Sequence, residues 1–192
     1  MTMTPAVFLD RDGTLIEEVG YLDRLERLAL FPWSIDAVRL LNRAGFRVVV
    51  VTNQSGIAHG LFEEQFVIDT HRYLDGKLAA AGAHVDGYYY CPHHPNAAVE
   101  AYRIKCDCRK PGTGMIRSAA RDLGLDLARS FVVGDRWLDI EMAHAGGAAG
   151  ILVLTGYGRT EASRPRDGVK AEAVVDNLIE ATTWILRRDG RS

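Results

Sequence analysis

The run AVFLD at 6–10 leads straight into Arg11-Asp12-Gly13-Thr14, which sets Asp10 and Asp12 two residues apart where an apolar segment stops. An Asp-Gly turn with a capping hydroxyl accounts for Gly13 and Thr14. It needs only one acid, however, and two neighbouring carboxylates repel unless a proton or a cation sits between them. The run VVVVTNQSG at 48–56 ends in Thr52, Asn53, Gln54 and Ser55. These side chains cap turns, but beside Asp10 they are suitable donors to a phosphoryl oxygen. SFVVGDRWLDIEMA at 130–143 adds Asp135, and Asp139 one helical turn later. In isolation Asp135 would cap the helix and Asp139 would face solvent. On one rim with Asp10 and Asp12, such acids call for neutralisation, and Mg²⁺ prefers these hard oxygen ligands. Arg109-Lys110 precedes Pro111-Gly112 and a predicted helix, an arrangement that holds the basic pair rather than leaving it solvated.

Cys91, Cys106 and Cys108 are the three cysteines of the chain. Together with His93 they form a three-thiolate, one-imidazole set suited to a closed structural Zn²⁺ site. Cys91-x-His93 mirrors Cys106-x-Cys108, which favours His93, with His94 the adjacent alternative. One disulfide plus a spare thiol is the other reading, and a reducing compartment disfavours it. Zinc would fix the chain just before Arg109-Lys110.

Short apolar, β-branched runs at 6–10, 46–51, 85–90, 130–135 and 150–154 alternate with amphipathic stretches at 35–43, 63–81, 113–123 and 138–145. This alternation predicts an α/β domain, doubly wound and Rossmann-like, with a mainly parallel sheet. Ligands of such sheets bind beyond the carboxyl ends of the strands. Asp10, Thr52, Cys91 and Asp135, each just after an apolar run, are therefore expected on one rim. A single domain over 1–188 with a polar tail at 189–192 is expected. The chain has 192 residues, 25% of them charged, and a formal charge of -2. That balance argues against nucleic-acid binding. No secretory or membrane-spanning segment is read, so a cytoplasmic monomer is the expectation.

DRDGT at 10–14, Thr52, Lys110 and GDRWLD at 134–139, in this order, resemble the four motifs of the haloacid dehalogenase (HAD) phosphatase superfamily across nearly the whole chain. The resemblance implies Asp10 as a nucleophile that forms an aspartyl-phosphate, and Asp12 as general acid and base. It implies Mg²⁺ held by Asp10, the Asp12 carbonyl and Asp135, with Asp139 behind them, and Thr52 and Lys110 on the phosphoryl oxygens. An acid at position 12 favours a hydrolase, since related transport ATPases carry Thr there. CPHHP, CDCRKP, Gly20-Tyr21 and TNQSGIA at 52–58 narrow the resemblance to the heptose bisphosphate phosphatases and, more distantly, the histidinol-phosphate phosphatases.

The narrower resemblance implies a small sugar bisphosphate bound by Glu18, Val19, Gly20 and Tyr21, by Thr52, Asn53, Gln54 and Ser55, and by Arg109 and Arg136. A second phosphate suits the planar fork of Arg109. Arg136 stands where the heptose enzymes usually carry Lys, which changes the contact geometry. A zinc-stabilised binding module with a dead site is the competing class, and the intact Asp10/Asp12 pair argues against it. Only 42 positions separate Asp10 from Thr52 and 58 separate Thr52 from Lys110. A separate folded cap of roughly 50 residues does not fit there. The site is expected to be capless, with specificity set by short loops, the zinc loop the largest. His59, His71 and His84 read as surface or helix-face residues, and Trp33, Trp137 and Trp184 as packing.

Overall fold

The computed structural model describes residues 3–190. Its strands are β1 (Ala6–Leu9), β2 (Arg47–Asn53), β3 (Gly87–Cys91), β4 (Phe131–Gly134), β5 (Ala149–Val153) and β6 (Ala173–Val175). They form one parallel sheet in the order β3-β2-β1-β4-β5-β6. The helices are α1 (Ser34–Arg43), α2 (Ser55–Ala58), α3 (Glu64–Ala79), α4 (Gly114–Leu123), α5 (Trp137–Gly146), α6 (Gly158–Ala162) and α7 (Leu178–Arg188).

Side-chain alternation along the strands feeds two cores. Val7 and Leu9 of β1, Val48 and Val50 of β2 and Val133 of β4 pack with Leu41 of α1, Leu74 and Leu78 of α3 and Ile185 of α7. Ala6, Phe8, Val49, Val51 and Val132 point the other way, onto Met115 and Ile116 of α4 and Met142 of α5. Four consecutive buried valines in β2 are what a central strand covered on both faces requires.

The direction of winding reverses at β1, which lies between β2 and β4. The crevice at the carboxyl ends of β1 and β4 is thus the switch point where doubly wound sheets bind ligands. Leu9 pairs with Val133, and the Asp10 amide donates to the Val133 carbonyl at 2.9 Å, so Asp10 is pinned at that crevice. Besides isolated bridges, the stretch between β1 and α1 holds only the 3₁₀ turn Leu25–Arg27, and that between β3 and α4 only Glu100–Tyr102. Among the described residues neither stretch forms a folded cap.

Three details differ from the expectation. β3 begins at Gly87 rather than 85 because the Asp86 carboxylate caps the sheet, accepting from the Val48 amide at 2.8 Å and pairing with Arg47 at 2.6 Å. β6 and α7 add a strand and a helix beyond 154 that the sequence reading did not include. Arg187 and Arg188 form the last turn of α7, where cations meet the negative helix end. Of the expected tail at 189–192, Asp189 caps α7, and 191–192 lie outside the described residues. No helix of the described residues is long and apolar enough to cross a membrane.

Phe8 is fully buried between β1 and the α4–α5 face. Phe8→Ala is expected to cost about 3–5 kcal/mol of stability, measured by denaturant unfolding. A loss under about 1 kcal/mol would contradict this packing.

Candidate active site

Three segments converge on Lys110. Its Nζ lies 2.8 Å from Asp10 Oδ1, 2.6 Å from Asp139 Oδ1 and 3.1 Å from the Val51 carbonyl, which accounts for all three ammonium protons. Lys110 is 5% exposed, Asp10 7% and Asp139 0%. Burial alone would lower the lysine pKa, but the Asp10 and Asp139 carboxylates override it and hold the ammonium charged. Asn53, at the end of β2, clamps the Lys110 backbone by accepting from its amide at 3.0 Å and donating to its carbonyl at 3.4 Å.

The Asp10 Oδ1 also accepts from the Arg11 amide at 2.8 Å. Among the described residues no donor meets its Oδ2. Asp12 is held differently, by Arg11 Nε at 3.1 Å, Arg11 Nη2 at 3.2 Å and Gln54 Nε2 at 2.9 Å, with the Thr52 hydroxyl at 3.5 Å. Gln54 also donates to the Thr52 hydroxyl at 2.8 Å. The segment expected to bind substrate thus also holds Asp12.

Asp135 is 1% exposed and accepts from the Tyr157 amide at 2.7 Å. Two glycines make room for it. A Cβ on Gly13 (φ +82°) or on Gly156 (φ +52°) would collide with Asp135 Oδ2. Asp139 does not face solvent. Its Oδ2 accepts from the Arg136 amide at 3.2 Å, so Asp139, not Asp135, caps α5.

A cavity of about 340 Å³ opens over these groups. It is lined by Asp10, Asp12, Glu18, Gly20, Tyr21, Thr52 to Ser55, Arg109, Lys110, Arg136 and Asp139. Asp135, buried beneath, is not among them, and neither is Val19. The Val19 side chain packs on the main core and its carbonyl accepts from Arg27 at 2.9 Å. The sequence reading missed Phe62, His94 and Tyr157, which also line the cavity. Tyr157 places its ring 3.9 Å from the Arg136 guanidinium, a cation–π contact that fixes this arginine at the rim. The signal for Tyr157 was available: Thr155-Gly156-Tyr157 follows the fifth apolar run as the other site residues follow theirs.

Oxygen atoms of Asp10, Asp135 and Asp139 lie within 4.8 Å of one another. One ammonium cannot balance three carboxylates. Burial, with repulsion from Asp139 and Asp12, raises Asp10 to about 7 against the pull of Lys110. Burial, then Asp10 and Asp139, raises Asp135 to about 8. This all-oxygen, charge-deficient set suits Mg²⁺. Asp139 has both oxygens engaged by protein donors, which leaves Asp10 and Asp135 as the freer carboxylates.

At the edge of the cavity, the sulfurs of Cys91, Cys106 and Cys108 are 3.1–3.5 Å apart, far beyond a disulfide bond. His93 Nδ1 lies 3.4 Å from Cys108 Sγ and 3.7 Å from Cys91 Sγ. These four atoms are the corners of a small tetrahedron that fits Zn²⁺. His94 turns away, its ring 4.8 Å from that of His59. Asn53 pairs with Cys91 across β2 and β3, and Arg109 Nη1 donates to the His93 carbonyl at 3.1 Å. The cysteine cluster is therefore tied to the same two residues that flank the cavity floor.

Fold and site define a hydrolase of the HAD-like class. A family model described as HAD-hydrolase-like matches residues 107–181. The D-glycero-β-D-manno-heptose-1,7-bisphosphate 7-phosphatase of Escherichia coli K12 is 46% identical over 153 residues, 79% of this chain and 80% of its own. The enzyme of that name from Photorhabdus laumondii is 45% identical over 139 residues, 72% of this chain and 74% of its own. The chain belongs to the family of these heptose bisphosphate phosphatases. The crystal structure of a D,D-heptose 1,7-bisphosphate phosphatase from B. bronchiseptica, complexed with magnesium and phosphate, superimposes with a TM-score of 0.85 at 33% identity, covering 96% of this chain and 99% of the other.

The purified protein is expected to contain about one zinc per chain by atomic absorption. Cys108→Ser should lose that zinc and melt at a lower temperature. Unchanged zinc content in the variant would refute the ligand set.

Proposed function

We propose that the chain is a magnesium-dependent phosphatase that removes the 7-phosphate of D-glycero-β-D-manno-heptose 1,7-bisphosphate through an aspartyl-phosphate. The observation that carries the reading is Asp10: a carboxylate pinned at the switch point, with one oxygen held by Arg11 N–H and Lys110 and the other free of protein donors. The β anomer and the heptose come from the names of the related enzymes.

Asp10 Oδ2 attacks the phosphorus of the 7-phosphate as the bond to the sugar oxygen breaks. Asp12, protonated, gives its proton to the departing alkoxide. As a carboxylate it then takes a proton from the water that attacks the acyl phosphate, and cleavage of the bond to Asp10 releases phosphate. The Arg11 fork and the Gln54 amide donate to the Asp12 oxygens and fix the orientation of its carboxyl group. The Thr52 hydroxyl and the Lys110 ammonium hold the transferring oxygens, Lys110 exchanging its bond to Asp10 for one to the phosphoryl group. Mg²⁺ held by Asp10, the Asp12 carbonyl and Asp135, with Asp139 behind them, supplies Lewis-acid charge.

Arg109, on the zinc-loop side of the cavity, takes the sugar 1-phosphate, and Glu18, Gly20, Tyr21 and Arg136 surround the sugar. The cavity volume of about 340 Å³ is in the range of small-molecule sites. The enzyme works as a monomer in the cytoplasm, where reduced thiols remain free to bind zinc.

Phosphate release from the β-heptose 1,7-bisphosphate should exceed that from heptose 7-phosphate and from histidinol phosphate in kcat/KM. Arg109→Ala is expected to remove about 10- to 100-fold of the preference over the monophosphate, the worth of a charge-assisted hydrogen bond. Asp10→Asn should reduce turnover to background. A preference for histidinol phosphate would sink the substrate assignment, and an active Asp10→Asn would sink the mechanism.

A further inference from the structure

His71 lies inside α3 and is 6% exposed. Its ring stacks on Tyr88 at 4.4 Å with 16° between planes, and Tyr90 stands against it at 5.9 Å. An apolar residue would fill such a place without a polar atom to satisfy, so a buried imidazole implies a partner. That partner comes from the catalytic turn: Arg11 Nη1 is 3.5 Å from His71 Nε2.

Arg11 is 2% exposed, and its other two nitrogens engage the two oxygens of Asp12. The guanidinium is a rigid plate with one edge on the Asp12 carboxylate and a further corner on α3. Burial, reinforced by the Arg11 charge, lowers His71 to about 3, so the ring is neutral; because a guanidinium only donates, the contact assigns the lone pair to Nε2 and the ring proton to Nδ1. On the far side Gln54 Nε2 closes on Asp12 Oδ2 at 2.9 Å.

We propose that His71 is a positioning residue for proton transfer: by accepting from Arg11 it fixes the guanidinium plane, and through that plane the direction of the Asp12 carboxylate. The proposal rests on the reading of Asp12 as acid and base given above. Asp12 must give a proton to the sugar oxygen and then take one from water, and both steps need the carboxyl group aimed within hydrogen-bonding reach. An arginine anchored only by its own sequence neighbour has many rotamers available. Without His71, Arg11 Nη1 loses its side-chain partner and the plate can turn. A contact across 60 residues, from helix to catalytic turn, removes that freedom.

Two substitutions separate this role from packing. His71→Phe keeps the ring and its stacking on Tyr88 but removes the acceptor. His71→Gln loses the ring but can present an amide oxygen to Arg11. The substrates are the heptose bisphosphate, whose alkoxide must be protonated as it leaves, and p-nitrophenyl phosphate, whose phenolate leaves without a proton. His71→Phe is expected to lower kcat/KM for the sugar about 10-fold, less than the 10²–10⁴ of complete acid–base loss, and to leave the aryl phosphate within about twofold. His71→Gln should stay within about twofold on both.

Equal losses on the two substrates, or a wild-type Phe variant beside an impaired Gln variant, would overturn the proposal in favour of packing. Asp12→Asn, measured in parallel, should show the same leaving-group selectivity with a larger loss. If Asp12→Asn is selective and His71→Phe is not, only the role of His71 fails. If Asp12→Asn is itself unselective, the assignment of Asp12 fails and this proposal with it. Should His71→Phe not fold, Arg11→Lys, which keeps the charge but not the fork, gives the same readout.

Discussion

The Lys110 ammonium receives one acceptor from β2 (the Val51 carbonyl), one from the end of β1 (Asp10) and one from the first turn of α5 (Asp139). Each of these groups is buried, and each would be costly to bury without the others. Taking away the lysine would leave two carboxylates facing each other at the crevice. Taking away either acid would leave an ammonium short of a partner. The cluster is still deficient in positive charge, which is why it suits a divalent cation; burial above all, with repulsion among the acids, raises Asp10 and Asp135. Much of the surrounding architecture places this one nitrogen. Asn53 grips its backbone, α5 is capped by the acid it binds, and the cysteine cluster fixes the chain a few residues before it.

The zinc loop links sheet edge to chemistry by short steps. Cys91 closes β3 and pairs with Asn53, the residue that clamps Lys110. The other arm, Cys106 and Cys108, runs directly into Arg109, which bonds back to the His93 carbonyl. Tyr90 and Tyr102 both reach Glu64 at the start of α3, at 2.7 and 3.4 Å, so the loop is also moored to the helix that carries His71. A loop with so few apolar residues has little core of its own, and a metal tether offsets the entropy of ordering it.

Legibility in the sequence followed the strength of the pattern. Four of the strand ends were visible because parallel strands buried on both faces are continuous apolar runs, and Asp10, Thr52, Cys91 and Asp135 at those ends lie in or beside the candidate site. β6 was missed because three residues at an edge, AVV, leave almost no pattern, and α7 although its apolar spacing was present. Asp139 was ambiguous in one dimension. Only the crossing of α5 past β4 shows that it faces Lys110. His71 looked like an ordinary helix-face histidine, since nothing within ten residues of it names Arg11. Val19 fitted the substrate loop by position, but the turn made by Gly20 sends it to the core. Pairings of this kind depend on which elements pack together, and local spacing does not encode them.

The absence of a folded cap between β1 and α1 or between β3 and α4 has a kinetic meaning. In the proposed reaction no folded cap has to open for phosphate to depart or for water to arrive through the cavity above Asp10. Coupled to a base held two residues away, the acyl phosphate has a short lifetime. The open rim thus gives water ready access to the acyl phosphate, without a conformational step of its own.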